Sequence, residues 1–180
     1  MRKQYFGDDQ PEFVVLYNAR NIRRKCTSDL ILAYAQFCDK IGKEKAKKCA
    51  LLMHTQKIDE NGTDLPAVVE LFCDPEYQRV VFCENRYTPY QMNVMYNCAD
   101  VTALISSNEG WGLSLTESMM AGKPIIATVT GGMQDQMRFV DNEGNWIDFD
   151  EKFCSNHFGT YSECGEWAVP VYPSNMSIVG

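Results

Sequence analysis

The sequence predicts a single α/β domain in which helices cover both faces of a doubly wound parallel sheet. Short apolar segments rich in β-branched and aromatic residues recur between residues 13 and 128, and segments with helical spacing separate them. The apolar segments are nearly continuous instead of alternating with polar residues, as expected for strands buried on both faces. Strands that alternate with helices in this order form a parallel sheet with helical crossovers.

The strands are predicted from short apolar runs that end at polar residues. Runs of three to five such residues are too short for an ordinary helix and suit short buried strands. The predicted strands are 13–17, 49–53, 80–83, 101–105 and 125–127.

The first two helices are predicted from capping residues and apolar spacing. Thr27, Ser28 and Asp29 are N-cap candidates for the first helix, because their side-chain oxygens can accept from free backbone amides. Gly42 is the expected end of that helix. A short helix is predicted at 64–73.

Two later helices have stronger local signals. Thr88 followed by Pro89 predicts a helix start, with a capping hydroxyl and a proline at the first helical position. The segment 113–121 is predicted to be helical, closed by Gly122 and stopped by Pro124. Together these elements predict a Rossmann-like fold, in which ligands bind beyond the carboxyl ends of the strands.

Composition excludes several classes of protein. The chain has 180 residues, 45% of them hydrophobic and 23% charged, which suits one ordinary globular domain. Its formal charge of −7 argues against a nucleic-acid partner. No apolar run is long enough to cross a bilayer, and the N-terminal residues lack the apolar core of a signal peptide. We therefore expect a cytoplasmic protein without a transmembrane segment.

The metal-binding and redox motifs in the sequence are weak. None of the eight cysteines forms a Cys-x-x-Cys pair, so we expect reduced thiols, although Cys154 and Cys164 could pair in an oxidising setting. Asp148-Phe149-Asp150 has an Asp-x-Asp form that recurs by chance in acidic chains, and no metal site is predicted there. His54 ends a strand and could approach the ligand cleft, but a packed or hydrogen-bonded histidine is the expectation.

The segment 106–117 is the strongest candidate for chemistry. It leaves a predicted strand, passes Gly110 and Gly112, and opens a helix whose first amides can attract phosphate. Glu109 and Glu117 flank this turn, an arrangement that suits a ligand with hydroxyls at both ends and a diphosphate between them, such as a nucleotide sugar. The alternative interpretation is that Glu109 is a solvated loop acid and Glu117 an early-helix acid favoured by the dipole.

An ordered series of motifs resembles retaining glycosyltransferases of the GT-B type, in particular family 4, also called group 1. The segment 109–117 resembles their Glu-x7-Glu motif, and 117–128 is similar to the run that follows it. The segment 131–135 looks like their Gly-Gly-x-x-Glu, and 19–26 resembles the turn Gly-Arg-Leu-x-x-x-Lys-Gly after the first strand. The resemblance covers about residues 11–140.

The resemblance implies roles for particular residues. Arg20 and Lys25 would neutralise the leaving diphosphate, and Glu109 would hold sugar hydroxyls, which makes these three the candidate catalytic residues. Glu117 would bind the ribose, and backbone amides at the start of the helix would hold the phosphates. The candidate donor-binding residues are Gly110, Trp111, Gly112, Leu113, Ser114, Glu117 and, around the nucleobase, Asn85, Arg86 and Tyr87. The resemblance implies no cofactor and no metal.

The chain departs from the family pattern at a few positions. Ala19 and Cys26 replace the two glycines of the first turn, Thr55 replaces a glycine after the second strand, and Asp135 replaces a glutamate. The geometry of the first turn is therefore expected to differ from that of the family. The tail 141–180 has no match.

The resemblance also predicts the domain organisation. Residues 1–11 are expected to be a linker or a residual interdomain segment, and 12–180 the nucleotide-sugar-binding domain, a single GT-B half-domain. An N-terminal acceptor-binding domain would be the missing partner, so the isolated half is expected to be inactive. The alternatives left open are a nucleotide-sugar epimerase of the GT-B type and a non-catalytic nucleotide-sugar-binding or interaction module.

Overall fold

The computed structural model describes residues 2–148 and 156–173, and in these ranges the chain forms one six-stranded sheet. All neighbouring strands are parallel, in the order β3-β2-β1-β4-β5-β6. The predicted doubly wound α/β fold is therefore confirmed. The strands are β1 Phe13–Asn18, β2 Cys49–His54, β3 Val80–Cys83, β4 Val101–Leu104, β5 Ile125–Thr128 and β6 Ala168–Val171.

The strand order places a crevice between β1 and β4. From β1 the chain winds outward to β2 and β3, and it then crosses back to β4 and winds the other way. The register pairs Asn18 of β1 with His54 of β2, so both side chains lie at the same carboxyl edge of the sheet. A parallel sheet binds ligands at this type of reversal, because the two adjacent loops diverge to opposite faces.

Helices cover both faces of the sheet, as the alternation along β1 shows. Val15 and Tyr17 belong to one hydrophobic cluster together with Leu30 and Tyr34, whereas Val14 and Leu16 belong to another. Successive residues of a strand point to opposite faces, so each cluster marks one covered face. The helices are α1 Lys3–Phe6, α2 Thr27–Ile41, α3 Lys43–Ala46, α4 Leu65–Phe72, α5 Pro89–Cys98, α6 Leu113–Met120 and α7 Met133–Met137.

The predicted helix start is correct for α5, the predicted end at Gly42 is correct for α2, and the predicted start of α2 needs correction. Thr88 and Gln91 form a reciprocal capping box at the start of α5, directly before Pro89. The N-cap of α2 is Cys26, which adopts a left-handed φ of 51° and supplies no side-chain cap. The candidates Thr27, Ser28 and Asp29 therefore lie inside the first turn of α2 and do not cap it.

The sequence prediction missed α1, α3, α7 and β6. The strand β6 contains Pro170 and half-exposed valines, and it lies at an edge of the sheet, so it has neither a continuous apolar run nor a turn signal. Proline is tolerated there because an edge strand leaves one side of its backbone without a ladder partner. The helices α1, α3 and α7 span four or five residues each, which is too short for a clear helical period.

The N-terminal segment, expected to be a linker or interdomain segment, packs against the domain in its described part. Phe6 of α1 is only 5% exposed and belongs to the cluster on the α5 face of the sheet. Arg2 donates to Asp100 at 2.6 Å and to the backbone oxygen of Cys98 at 2.9 Å. These contacts join the start of the chain to the turn between α5 and β4.

The remaining predictions on the tail fall partly outside the described ranges. Asp148 is exposed, whereas Phe149, Asp150 and Cys154 lie outside the described residues. Within residues 2–148 and 156–173, no group of three His, Cys, Asp or Glu side chains could hold a metal ion. In the same described ranges, no helix has the length and apolar character needed to cross a membrane.

Candidate functional site

A cleft of about 590 Å³ opens at the carboxyl ends of β1 and β4, where the strand order reverses. A larger cleft of about 1100 Å³ lies along the edge strand β3 and α4, but none of the predicted site residues lines it. The smaller cleft is therefore the candidate site. Its lining residues are Asn18, Ala19, Arg20, Arg24, Lys25, Leu104, Glu109, Trp111, Gly112, Leu113, Ser114 and Glu117.

The N-terminus of α6 faces this cleft. Gly112 is its N-cap, with a φ of 86° that strains any residue with a side chain, and no side chain caps the helix. Leu113 and Ser114, which follow, both line the cleft. Because the first amides of a helix lack partners within the helix and carry its positive dipole end, this is a suitable position for a phosphate group.

Gly131 and Gly132 pack directly behind the loop that precedes α6. A Cβ atom on Gly131 would collide with the backbone oxygen of Glu109, and one on Gly132 would collide with the backbone oxygen of Gly110. The amide of Gly132 also donates to the oxygen of Glu109 at 3.1 Å. The glycine pair is thus required by the close approach of two backbones, and it supports the loop from behind.

Gln136 of α7 holds the same loop through its side chain, and the sequence prediction missed it. Its amide nitrogen donates to the backbone oxygen of Trp111, and its side-chain oxygen accepts from Thr116 at 2.8 Å. The indole nitrogen of Trp111 donates to Thr116 at 2.8 Å, which ties the ring to the first turns of α6. Nothing in the sequence around Gln136 indicates that its side chain supports a distant loop, because α7 is too short to be predicted.

Glu109 is buried and paired with two cations. Its side chain is 8% exposed, Lys25 donates to its Oε1 atom, and Arg24 lies 2.9 Å from the same oxygen. Burial alone would raise the pKa of Glu109, but hydrogen bonds, the strongest of them from Lys25, outweigh it and lower the pKa. The alternative of a solvated loop acid is therefore wrong. Arg24, which the sequence prediction did not include as a site residue, belongs to this cluster.

Arg20 reaches the cleft from the turn after β1 and is paired with Asp59. Its guanidinium donates to the two carboxylate oxygens of Asp59 at 2.7 and 3.2 Å. The hydrogen bond from Arg20 lowers the pKa of Asp59. The turn is further held by the buried Asn21, which donates to the oxygen of Thr63 at 2.6 Å. Asp59 comes from the loop after β2, so its proximity could not be predicted from chain spacing.

The geometry of the first turn explains one departure from the family pattern. Cys26, which stands where the resemblance has a glycine, is in the left-handed region that glycine adopts without strain. Ala19, at the other glycine position, is not among the residues with positive φ. Cys26 therefore adopts the left-handed conformation although it has a side chain.

Glu117 lies on α6 and is held by a tyrosine from α5. The hydroxyl of Tyr96 donates to the Oε2 atom of Glu117 at 2.6 Å, and the side-chain amide of Asn18 donates to the Tyr96 oxygen at 2.7 Å. Burial, followed by the hydrogen bond to Glu117, raises the pKa of Tyr96, so the hydroxyl keeps its hydrogen at neutral pH. Neither Asn18 nor Tyr96 was a predicted site residue.

The cleft residues from Leu104 to Glu117 and the helices α5 and α7 lie in a segment that matches a family model. Residues 76–152 match the family model for glycosyl transferases group 1. The matched part of the chain is thus similar to glycosyl transferases group 1.

Short regions of curated proteins are similar to the chain. Over 57 residues it is 37% identical to a trehalose synthase from Pyrococcus horikoshii, covering 32% of this chain and 13% of that protein. Over 46 residues it is 41% identical to a D-inositol 3-phosphate glycosyltransferase from Corynebacterium urealyticum, covering 26% of this chain and 11% of that protein. The matched regions are therefore a small part of each relative.

Solved structures match a larger share of the chain. The C-terminal domain of a glycosyl transferase group 1 family protein from Francisella tularensis superposes with a TM-score of 0.59 and 18% identity, covering 84% of this chain and 75% of that one. A sucrose-phosphate synthase from Thermosynechococcus elongatus gives 0.56 and 28% identity, covering 70% of this chain and 30% of that one. The fold is that of a GT-B half-domain.

The loop 85–87 lies within the segment that matches the family model but does not line the cleft. The ring of Tyr87 stacks on that of His54, with centroids 5.3 Å apart. The Nε2 atom of His54 lies 2.8 Å from the backbone oxygen of Asn85. His54 is thus hydrogen-bonded, as expected, and it connects the predicted base-binding loop to the edge of the cleft.

The structure places most of the predicted site residues around one space. All three candidate catalytic residues line the cleft, together with most of the candidate donor-binding residues. Asn85, Arg86 and Tyr87 lie beyond it, and Gly110 is in the loop without lining the cleft. The residues brought together are Arg20, Lys25, Glu109, Trp111, Gly112, Leu113, Ser114 and Glu117.

Proposed function

We propose that this cleft is the donor site of a retaining glycosyltransferase that uses a nucleoside-diphosphate sugar. The observation that carries the proposal is the arrangement of two carboxylates, Glu109 and Glu117, on either side of one helix N-terminus at the reversal of the sheet. The match of residues 76–152 to glycosyl transferases group 1 supports it. The proposal assigns the chain to family 4, on the resemblance of residues 109–135 to the motifs of that family.

In the proposed complex each part of the donor has its own contacts. The diphosphate lies against the amides of Leu113 and Ser114 at the start of α6, the ribose hydroxyls lie at Glu117, and the sugar lies at Glu109. The nucleobase extends towards the loop 85–87. This order follows the positions of the two carboxylates relative to the helix terminus, since a diphosphate joins ribose and sugar at its two ends.

The cations of the turn after β1 supply the electrostatic part of the proposed mechanism. When the bond between the sugar and the diphosphate breaks, negative charge grows on the departing oxygen atoms. Arg20, Arg24 and Lys25 line the same cleft as the N-terminus of α6, so positive groups are in place before the charge develops. Side chains and the helix dipole would supply this charge without a metal or a cofactor.

The proposal includes an acceptor-binding partner domain. Retaining transfer requires the acceptor to be held beside the sugar, and the resemblance assigns that task to a second domain. The chain covers 30% of the sucrose-phosphate synthase that it resembles. We therefore expect the 180-residue chain to bind a donor but to form no glycosylated product by itself. Robust transfer to an acceptor panel, detected by mass spectrometry, would contradict this part of the proposal.

Calorimetry with uridine, adenosine and guanosine diphosphates tests the donor site directly. At least one of them should bind, and Glu117→Ala should weaken the tightest by roughly tenfold or more, because a hydrogen bond to a carboxylate contributes about 1.5–3 kcal/mol. Lys25→Ala and Arg20→Ala should also weaken binding, by a factor that shrinks as salt rises. Lys40→Ala removes an exposed cation from α2, outside the cleft, and is the matched control. Equal affinity of the wild type and all three site variants would rule out this donor site.

A further inference from the structure

Four side chains form a continuous hydrogen-bonded chain along the carboxyl edge of the sheet. It starts at the backbone oxygen of Asn85, 2.8 Å from Nε2 of His54, and continues from Nδ1 of His54 to Oδ1 of Asn18 at 2.7 Å. The amide nitrogen of Asn18 then donates to Tyr96, and Tyr96 donates to Glu117. The chain therefore joins the loop 85–87 to the cleft carboxylate through residues of β2, β1 and α5.

From Asn18 onwards, each donor in this chain points towards Glu117. The carboxylate of Glu117 can only accept, so Tyr96 donates to it, the amide nitrogen of Asn18 faces Tyr96, and the Asn18 oxygen faces His54. The Tyr96 oxygen then accepts from Asn18, so its single hydrogen is available only for Glu117. Each bond thus fixes the orientation of the next group, and the last bond fixes one oxygen of the carboxylate.

The burial of the members explains why this arrangement can position Glu117. Tyr96 is 2% exposed and packs in the same cluster as Val14 and Leu16, whereas Glu117 is exposed at the wall of the cleft. An exposed glutamate normally samples several rotamers, and ordering it for a ligand costs conformational entropy. A bond to an immobile, buried hydroxyl removes part of that cost before the ligand binds.

We propose that Tyr96 is a positioning residue that holds Glu117 in place for the hydroxyls of a ribose, with Asn18 and His54 setting the direction of its hydroxyl. This inference rests on the proposed donor site. Tyr96 itself does not line the cleft, so it acts through Glu117 and has no contact with the ligand. The same chain couples the carboxylate to the loop 85–87, which follows β3.

The test compares three ligands on the wild type and on Tyr96→Phe by calorimetry. The ligands are the tightest-binding of the uridine, adenosine and guanosine diphosphates, its 2′,3′-dideoxy analogue, and inorganic pyrophosphate. Tyr96→Phe should reduce the preference for the ribose form over the dideoxy form on the order of tenfold, the value of one good hydrogen bond. Its affinity for pyrophosphate should equal that of the wild type, because pyrophosphate has no hydroxyl for Glu117.

Two further variants keep the inference testable. Tyr90→Phe removes an exposed hydroxyl from the same helix and should leave all three affinities unchanged. His54→Phe keeps a flat ring against Tyr87 but removes the hydrogen bond between the imidazole and Asn18, and should lower the ribose preference about threefold. It provides the same readout if Tyr96→Phe does not fold.

The outcomes separate this inference from the proposed function. Binding of a nucleoside diphosphate by the wild type, weakened roughly tenfold or more in Glu117→Ala, supports the donor site independently of Tyr96. An unchanged ribose preference in Tyr96→Phe would overturn the positioning role, and so would an equal loss for all three ligands, which would indicate a merely structural tyrosine. Failure of the wild type to bind any of the nucleoside diphosphates would overturn both.

Discussion

Two cationic side chains stabilise the buried carboxylate of Glu109. Removing a carboxylate from water is costly, and its cost is offset here by Lys25 and Arg24, which both contact Oε1. The side chains of Glu109 and Lys25 are 8% and 11% exposed, so solvent screens this pair only weakly. A pair of this kind is held more firmly than the exposed ion pairs elsewhere on the chain.

The first prediction concerns the pH dependence of stability. The folded-state pKa of Glu109 lies below its ordinary value of 4.5, so its contribution is present above that pH and is lost as pH falls through the folded pKa. At pH 7, Glu109→Gln should lower the free energy of unfolding by about 1–3 kcal/mol, because Lys25 loses its charged partner. The fall in stability of the variant below pH 4.5 should be shallower than that of the wild type.

Urea unfolding monitored between pH 3 and pH 7 measures both effects. Glu70→Gln is the matched control, since Glu70 is an exposed acid on α4 without an ion pair among the bridges of the described residues. That variant should follow the wild-type curve. Parallel curves for Glu109→Gln and the wild type would show that the pair does not stabilise the fold.

At the scale of elements, the position of α6 depends on a helix that the sequence pattern did not reveal. The two glycines before α7 allow its backbone to approach the loop before α6, and Gln136 of α7 donates to the backbone oxygen of Trp111. The indole of Trp167, next to β6, donates to the backbone oxygen of Gln136 at 3.1 Å. The N-terminal end of α6 is thus supported by two layers of structure.

The second prediction tests this close approach with a pair of glycines. Gly132→Ala places a methyl group against the backbone oxygen of Gly110 and should lower the free energy of unfolding by about 1–3 kcal/mol through overpacking. It should also weaken binding of a nucleoside diphosphate, because the loop must move to relieve the collision. Thermal unfolding and calorimetry measure the two effects.

Gly110→Ala is the matched control in the same loop. No atom lies within 4 Å of a Cβ built on Gly110, and its φ is not positive, so this variant should unfold like the wild type. If Gly132→Ala is as stable as Gly110→Ala, the backbone of α7 is not the support that the geometry indicates.

For the whole molecule, the strand order and the N-terminal segment determine which surfaces are covered. Asp100 accepts from Arg2 at 2.6 Å and from the amide of Val14 at 2.7 Å, so it connects the first residues of the chain to β1. Phe6 fills a position on the α5 face of the sheet, with the guanidinium of Arg79 above its ring at 5.2 Å. The segment before β1 thus contributes to the core.

The third prediction distinguishes a packed segment from a linker. Phe6→Ala should lower the free energy of unfolding by about 2–4 kcal/mol, somewhat less than a central phenylalanine because the site is near the end of the chain. Leu71→Ala is the control, since Leu71 is 74% exposed and should change stability by less than about 0.5 kcal/mol. Urea unfolding measures both. Equal stability of the two variants would show that the segment does not pack in solution.

The sequence by itself determined the elements whose signals are local. The buried strands of β1, β2 and β4 are continuous apolar runs, and α5 begins at a threonine and a proline that cap it without help from distant residues. The turn from β4 into α6, with its two carboxylates, is contiguous in the chain, so its resemblance to glycosyltransferases was evident before the fold. These predictions succeeded because hydrophobic period and capping act over a few neighbouring residues.

Only the tertiary structure decided which residues become partners across the chain. Asp59 beside Arg20 and Tyr96 beside Glu117 come from different crossovers, and their proximity depends on the strand order. The edge strand β6 forms because its backbone pairs with that of β5. Its own half-exposed residues have no hydrophobic pattern that would predict a strand. Long-range hydrogen bonds and edge pairing depend on the assembled sheet. A pattern along the chain does not show which distant residues lie close together in space.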